Sequence, residues 1–88
     1  MSYTFAESTR KNKKYMVNYN GKIIHFGHID YPQYRDNTPL KLYSHLDHND
    51  PKRRELYRKR ASKIKDKNNK YTYLNKNSPN YWAYHYLW

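Results

Sequence analysis

The 88-residue sequence has no cysteine, two glycines and only seven acidic residues. The absence of cysteine excludes disulfides and thiolate metal ligands, and it is compatible with a reducing, intracellular setting. There is no glycine-rich phosphate loop and no nucleophile elbow, so the sequence gives little support to an enzyme. No apolar run reaches the length of a membrane span, and the N-terminus lacks a signal-peptide core. We therefore expect a soluble, non-enzymatic protein without a membrane partner.

Positive charge and tyrosine are in excess. Eighteen Lys and Arg residues give a net charge of +11, which costs folding energy through self-repulsion and attracts polyanions. Nucleic acid is the favoured partner, with an acidic protein or anionic lipid as alternatives. Twelve Tyr, two Trp and two Phe residues must supply most of a thin core. Stacking of exposed rings on bases is an alternative use of some of them.

The segment KYMVNYNGKIIHFG predicts a β-hairpin. Asn20-Gly21 is a favoured type I′ turn between two β-rich runs. A two-residue turn places Val17 opposite Ile24 and Tyr15 opposite Phe26, and these four side chains should form the buried face. Residues 1–13 lack periodicity and predict a flexible basic arm, followed by a single domain over residues 14–88.

Three pairs of a capping residue and proline predict helix starts: Thr38-Pro39, Asp50-Pro51 and Ser78-Pro79. The first should begin a short helix, and the second the main helix, running to about Lys65. A polar connector follows, with a short extended stretch at residues 71–74. The third pair opens NYWAYHYLW, which is too aromatic to remain in solvent and should close the core. The fold class is therefore α+β, with a hairpin packed on a basic helix, short accessory helices and an aromatic C-terminal segment.

The main helix carries the candidate binding residues. At 100° per residue, Leu56, Tyr57, Ala61 and Ile64 share a face that should pack on the hairpin. Arg53 and Arg60 fall within that face, and we expect them to pair with Asp30, Asp36 or Asp47. The remaining cations form outer ridges, for which a merely solvated charged face is the alternative. The predicted nucleic-acid-binding residues are Lys52, Arg54, Arg58, Lys59, Lys63 and Lys65 on the helix, with Arg10, Lys11 and Lys13 in the arm.

Two histidine pairs, His25-x-x-His28 and His45-x-x-His48, have the spacing of metal ligands. Structural zinc sites usually include thiolate, however, and His25 lies within a predicted strand. The alternative is that His45 and His48 bond locally to Asp47 or Asp50. We expect neither a metal nor another cofactor, and a metal-dependent nuclease is the weakest alternative.

The stretches KIIHFG, DNTPLKLYSHLDHNDPKRRELYRKR and YHYLW resemble a family of small basic proteins of nucleocytoplasmic large DNA viruses, of the marseillevirus, mimivirus and iridovirus type. The resemblance covers Lys14–Trp88 and is most specific at TPLKLYSHLDHNDPKRR and the terminal YLW. It implies a viral protein located in the virion, or in the viral factory or nucleus of an infected cell. It carries no catalytic residues.

Charge and resemblance together predict sequence-independent binding of double-stranded DNA, in genome packaging or DNA organisation. One alternative is a structural virion protein that bridges acidic capsid or core proteins. Another is an RNA-binding accessory factor. Spare aromatic surface also favours a homodimer.

Overall fold

A three-stranded antiparallel sheet and two helices make up the computed structural model, which describes residues 3–88. The strands are β1 (Tyr3–Glu7), β2 (Lys13–Tyr19) and β3 (Lys22–His28), in the order β1-β2-β3. The helices are α1 (Pro51–Ala61) and α2 (Pro79–Tyr86), with short 3-10 turns at Ser44–Leu46 and Thr72–Leu74. The predicted α+β class is confirmed. Within residues 3–88, no helix combines the length and apolar character needed to span a lipid bilayer.

The predicted hairpin is the centre of the sheet. Asn20 and Gly21 have φ angles of 51° and 83°, as a type I′ turn requires. Tyr15 pairs with Phe26 and Val17 with Ile24, and all four side chains are buried. The turn and the predicted register are therefore confirmed.

β1 lies inside the segment predicted as a flexible arm, so that prediction is wrong for residues 3–7. The strand pairs with β2 along its length, with Phe5 opposite Val17. The Phe5 ring meets Tyr86 and Trp82 edge-on, at centroid distances of 4.8 and 5.8 Å. This contact with the C-terminal segment explains why a short, weakly patterned sequence is ordered. Residues 1 and 2 of the predicted arm lie outside the described residues.

α2 covers the sheet, as the aromatic C-terminal sequence predicts. Ser78 caps the helix, because its hydroxyl accepts a hydrogen bond from the Asn80 amide at 3.2 Å. Trp82 and Leu87 are each 1% exposed and pack on the buried face of the hairpin. The indole N–H of Trp82 donates to the Lys76 carbonyl at 2.7 Å, so its polar atom is satisfied in the core.

Residues 29–50 form a loop around buried polar groups rather than the predicted helix at Thr38. The Thr38 hydroxyl donates to the Asp36 carboxylate at 2.6 Å instead of capping a helix. The same carboxylate accepts from the Tyr15 hydroxyl and, at 3.2 Å, from the Tyr43 amide. These bonds fix the loop to the sheet, because each would leave an unsatisfied buried group if broken.

A second set of bonds closes the same loop over Lys14, which is buried. The Lys14 ammonium donates to the Tyr31 carbonyl at 2.7 Å and to the Gln33 side chain. The Gln33 amide group in turn donates to the Asp47 carboxylate at 2.6 Å. Hydropathy alone places none of these polar side chains in a core.

Candidate nucleic-acid interface

α1 begins as predicted and ends earlier. The Asp50 carboxylate accepts from the Lys52 and Arg53 amides at 3.0 and 3.4 Å, and Pro51 occupies the first turn. The helix ends at Ala61, because the Ile64 carbonyl bonds to Thr72 at 2.9 Å and the chain turns away. Its 11 residues span about 16 Å. The predicted extended stretch at residues 71–74 is instead the 3-10 turn.

Of the four residues predicted to form the packed face of α1, Tyr57 and Ala61 are packed, whereas Leu56 and Ile64 are not. Tyr57 stacks on Trp88, with ring centroids 4.2 Å apart and planes at 10°. Ala61 is buried, and its carbonyl accepts from the Asn80 side chain at 3.0 Å. Leu56 and Ile64 are 55% and 51% exposed, so they do not pack on the hairpin. The helix rests on the C-terminal segment, and its packed face is centred on Tyr57 and Ala61.

Arg54 and Arg58, both predicted to bind phosphate, lie partly buried on this packed side. Their Nε–H groups donate to the Trp88 main-chain oxygen at 2.8 and 3.3 Å. Arg54 lies 4.8 Å above the Tyr34 ring, and Arg58 lies 4.7 Å above the Tyr84 ring. Their guanidiniums therefore hold α1 to the rest of the domain.

Arg53 and Arg60, predicted to be packed, are exposed instead. Within residues 3–88 neither guanidinium has a carboxylate within 4.0 Å. The three predicted acidic partners are engaged elsewhere: Asp36 with Tyr15 and Thr38, Asp47 with Gln33, and Asp30 with His28 at 4.0 Å. The exposed cations of the α1 region are Lys52, Arg53, Lys59 and Arg60 on the helix and Lys63 just after it.

A basic cleft separates α1 from the end of the β2–β3 hairpin. Its volume is about 450 Å³, and its cations are Lys13, Lys14, Arg53 and Arg60. Aromatic rings form its walls (His28, Tyr31, Tyr57 and Trp88), and none of the acidic side chains that the structure describes lines it. A second recess of about 370 Å³ continues past Leu56 and Lys59. The cleft could not be predicted from the sequence, because Lys13 is far from α1 along the chain and only folding brings the two together.

Gly27 keeps the floor of the cleft low. Its φ angle is +77°, and a Cβ added there would lie 3.0 Å from Leu87 Cδ1 and 3.2 Å from Lys14 Cβ. A side chain at this position would be strained by the φ angle, and the side chains of Leu87 and Lys14 would have to shift by a few tenths of an ångström.

The other predicted cations lie around this cleft or beyond it. Arg10 and Lys11 are exposed in the β1–β2 connection, at the same end of the sheet as Lys13. The Asn12 carbonyl accepts from the Ile29 amide at 3.2 Å and ties this connection to the chain after β3. Lys65 lies beyond the end of α1, 4.9 Å above the Tyr71 ring. The arm cations thus extend the basic surface of the cleft.

A family model covers most of this architecture. The model named Family of unknown function (DUF5754) matches residues 3–61. The chain belongs to the DUF5754 family. The matched part runs from β1 to the last residue of α1 and includes Lys13, Arg53 and Arg60. Comparisons with curated proteins and with solved structures gave no significant match.

The histidines of this DUF5754 protein are in separate surroundings. His25 Nδ1 lies 2.7 Å from the Ser8 hydroxyl, and His48 Nδ1 accepts from the Asp50 amide at 3.0 Å. His28 stacks on Tyr31, with ring centroids 4.6 Å apart. In the described part of the chain, no three His, Asp or Glu side chains are placed to hold a metal ion.

Burial shifts the pKa of Lys14 and of Tyr15, which lie next to each other in β2. It lowers the pKa of Lys14 to about 8, although Asp36 and Asp47 favour the charged form. It raises the pKa of Tyr15 to about 12, with a further contribution from the hydrogen bond to Asp36. The pKa of His48 is lowered by burial and by the nearby Arg53 charge. Lys14 therefore adds to the basic lining of the cleft from a buried position.

Proposed function

We propose that the protein binds nucleic acid without enzymatic activity and without reading sequence, with double-stranded DNA as the favoured ligand. The observation that carries the proposal is the exposed side of α1, where Lys52, Arg53, Lys59 and Arg60 have no acidic partner among residues 3–88. Cations held close together repel each other, and a polyanion relieves that repulsion. The net charge of +11 acts in the same direction over the whole chain.

The arrangement suits contacts with phosphates rather than with base edges. Arg53 and Arg60, like Lys52 and Lys59, are seven residues apart, which is about 10.5 Å along the helix axis. A helix of about 16 Å spans roughly five base pairs of duplex. Contacts with phosphates position a protein on DNA but carry no sequence information. Release of counterions then provides most of the binding free energy.

The setting we propose follows from the resemblance to small basic proteins of large DNA viruses. A viral genome has to be neutralised and compacted, and a small basic protein does this without selecting sequences. The proposed role is genome packaging or DNA organisation, in the virion or in the viral factory or nucleus.

The test is the salt dependence of duplex binding, measured by fluorescence anisotropy with two unrelated DNA sequences. If four to six cations engage, log K should fall against log salt with a slope of roughly −4 to −5, at about −0.9 per phosphate. Arg60→Gln should flatten the slope by about one unit, and the double variant with Arg53→Gln by about two. An unchanged slope in the double variant, or a strong preference for one sequence, would contradict the proposal.

Lys22→Gln is the matched control for charge. Lys22 is exposed and lies at the turn end of the hairpin, opposite the end that carries Lys13. The ladder between the two ends is about 20 Å long. The control should leave the slope unchanged, since it removes one charge outside the proposed surface.

The exposed Leu56 favours a second candidate, a structural protein that bridges acidic partners. Leu56 lies between the rows of cations and is 55% exposed, whereas DNA phosphates offer it no apolar surface. An acidic protein partner would bury it, so Leu56→Ser would weaken that complex and leave duplex binding intact. Duplex RNA in the same assay tests the third candidate, an RNA-binding factor.

A further inference from the structure

The cleft beside α1 has a shape that a duplex does not need. A DNA duplex is a convex rod whose phosphates would meet the exposed side of α1 and the rim of the cleft. The recess itself has a volume of about 450 Å³, within the usual range for small-ligand sites. Its lining therefore points to a ligand that enters it.

The cations at the cleft suit a phosphate group. Arg53 and Arg60 line the cleft from α1, and Lys13 lines it from β2. A guanidinium group can donate two parallel hydrogen bonds to the oxygens of one phosphate. Lys14 adds charge from the floor, but its ammonium is already bonded to Tyr31 and Gln33. Asp30 lies 4.0 Å from His28, but its side chain is 72% exposed and does not line the cleft.

Tyr31 supplies a flat surface at the mouth of the same cleft. It stacks on His28 at a centroid distance of 4.6 Å with planes at 26°, yet it is 65% exposed. Its main chain is fixed on both sides: the amide donates to the His28 carbonyl at 3.2 Å, and the carbonyl accepts from Lys14 at 2.7 Å. The ring is therefore held in place while leaving surface free for a second planar group.

From these features we propose that the cleft is a binding site for one unpaired nucleotide, whose phosphate contacts Arg53, Arg60 and Lys13 while its base stacks on Tyr31. Stacking on an aromatic ring tolerates every base, which agrees with binding that does not read sequence. The inference rests on the proposed function for the source of the nucleotide. It adds that the protein also takes hold of single-stranded segments or strand ends, whose bases are free to enter the cleft.

Calorimetric titration at low salt with adenosine monophosphate, adenosine and ribose 5-phosphate tests the two halves of the site separately. We expect adenosine monophosphate to bind at least tenfold more tightly than either fragment. Arg60→Gln should lower the affinity for adenosine monophosphate and for ribose 5-phosphate by the same factor. Tyr31→Ala should reduce adenosine monophosphate to the affinity of ribose 5-phosphate. Tyr71→Ala is the matched control, because Tyr71 is also exposed but does not line the cleft.

Two results would overturn the inference: ribose 5-phosphate binding as tightly as adenosine monophosphate, or full affinity in Tyr31→Ala. A single-stranded pentanucleotide distinguishes the sources of the ligand. Affinity well above that of adenosine monophosphate, lost in Tyr31→Ala, identifies a strand, whereas equal affinity identifies a free nucleotide. Both outcomes support a nucleotide site.

Duplex binding separates this inference from the proposed function. Tyr31→Ala should bind duplex DNA with the wild-type salt slope, because the substitution removes no charge. If duplex binds as proposed but adenosine monophosphate does not, the cleft proposal fails and the proposed function stands. If adenosine monophosphate binds but no salt-dependent duplex binding is found, the cleft proposal stands and the proposed function fails.

Discussion

The ring of Tyr57 lies flat on the indole of Trp88, with centroids 4.2 Å apart. The main-chain oxygen of Trp88 also accepts hydrogen bonds from Arg54 and Arg58. One residue near the C-terminus therefore holds α1 through both its side chain and its backbone. Since Tyr57 and Trp88 also line the cleft, the same contact sets the position of one wall of the candidate site.

Removing the Tyr57 ring should loosen this attachment. We expect Tyr57→Ala to lower the free energy of unfolding by about 2 kcal/mol, less than a fully buried ring would lose. Tyr57→Phe keeps the stacked ring and should change stability by less than about 0.5 kcal/mol. Urea unfolding measures both variants. Equal losses in the two variants would show that the hydroxyl, and not stacking, is what matters.

The two pairs of arginines should separate stability from binding. Arg54→Ala and Arg58→Ala should each lower the free energy of unfolding by about 1–2 kcal/mol, because each loses a charge-assisted bond to Trp88. Arg53→Ala and Arg60→Ala should change it by less than about 0.5 kcal/mol, since both side chains are exposed. Thermal and urea unfolding of the four variants provide the comparison. A loss of stability in Arg53→Ala as large as that in Arg54→Ala would restore the packed face predicted from the sequence.

Shortening a side chain of the hairpin should destabilise the domain only if that side chain lies on the buried face of the sheet. Val17→Ala and Ile24→Ala should each lower the free energy of unfolding by roughly 1–3 kcal/mol, since both side chains are buried. Ile23→Ala is the control, because Ile23 is adjacent on the same strand but 47% exposed. Its effect should stay below about 0.5 kcal/mol. Similar melting of all three variants would contradict the register.

Stability should rise with pH above about 8 because of Lys14. Burial lowers the pKa of folded Lys14 from 10.5 to about 8, so the unfolded chain binds this proton more tightly between those values. Unfolding then takes up a proton, and the free energy of unfolding increases as pH rises through that window. Urea unfolding between pH 7 and 10 should show this rise. Lys14→Met should remove it, whereas the exposed-site control Lys22→Met should keep it.

Tyr15 produces the opposite trend at higher pH. Its folded pKa is raised from 10.0 to about 12, so the unfolded chain loses this proton first. Stability contributed by Tyr15 is therefore complete below pH 10 and is lost as pH rises towards 12. A rise in wild-type stability that continued unchanged from pH 10 to 12 would contradict this assignment.

Local signals in the sequence were sufficient for the hairpin and for the starts of α1 and α2. Asn20-Gly21 fixes a turn geometry, and a capping side chain followed by proline satisfies or removes the free amides of a first helical turn. These effects act within a few residues, so they can be read from sequence alone. β1 was missed because what orders Phe5 is contact with Trp82 and Tyr86, nearly 80 residues away.

The packed face of α1 could not be predicted in full, because the predicted face and the observed face overlap at Tyr57 and Ala61 and look alike in sequence. Leu56 and Ile64 are the larger aliphatic residues, and grouping them with Tyr57 and Ala61 shifted the predicted face towards Arg53 and Arg60. Aromatic stacking on Trp88 outweighs their burial, and Arg54 and Arg58 follow Tyr57 to the inside. The arginines exposed on α1 are therefore Arg53 and Arg60, not Arg54 and Arg58.

The way α2 covers the sheet has a consequence for synthesis of the chain. Trp82 and Leu87 complete the core with Tyr15, Val17, Ile24 and Phe26 of the hairpin. While the ribosome is still making residues 60–80, the hairpin has its turn but lacks its cover. At that stage the nascent chain is basic and incompletely folded, and ribosomal RNA nearby should attract it electrostatically. We therefore expect the core to close only after Trp82 and Leu87 have left the exit tunnel.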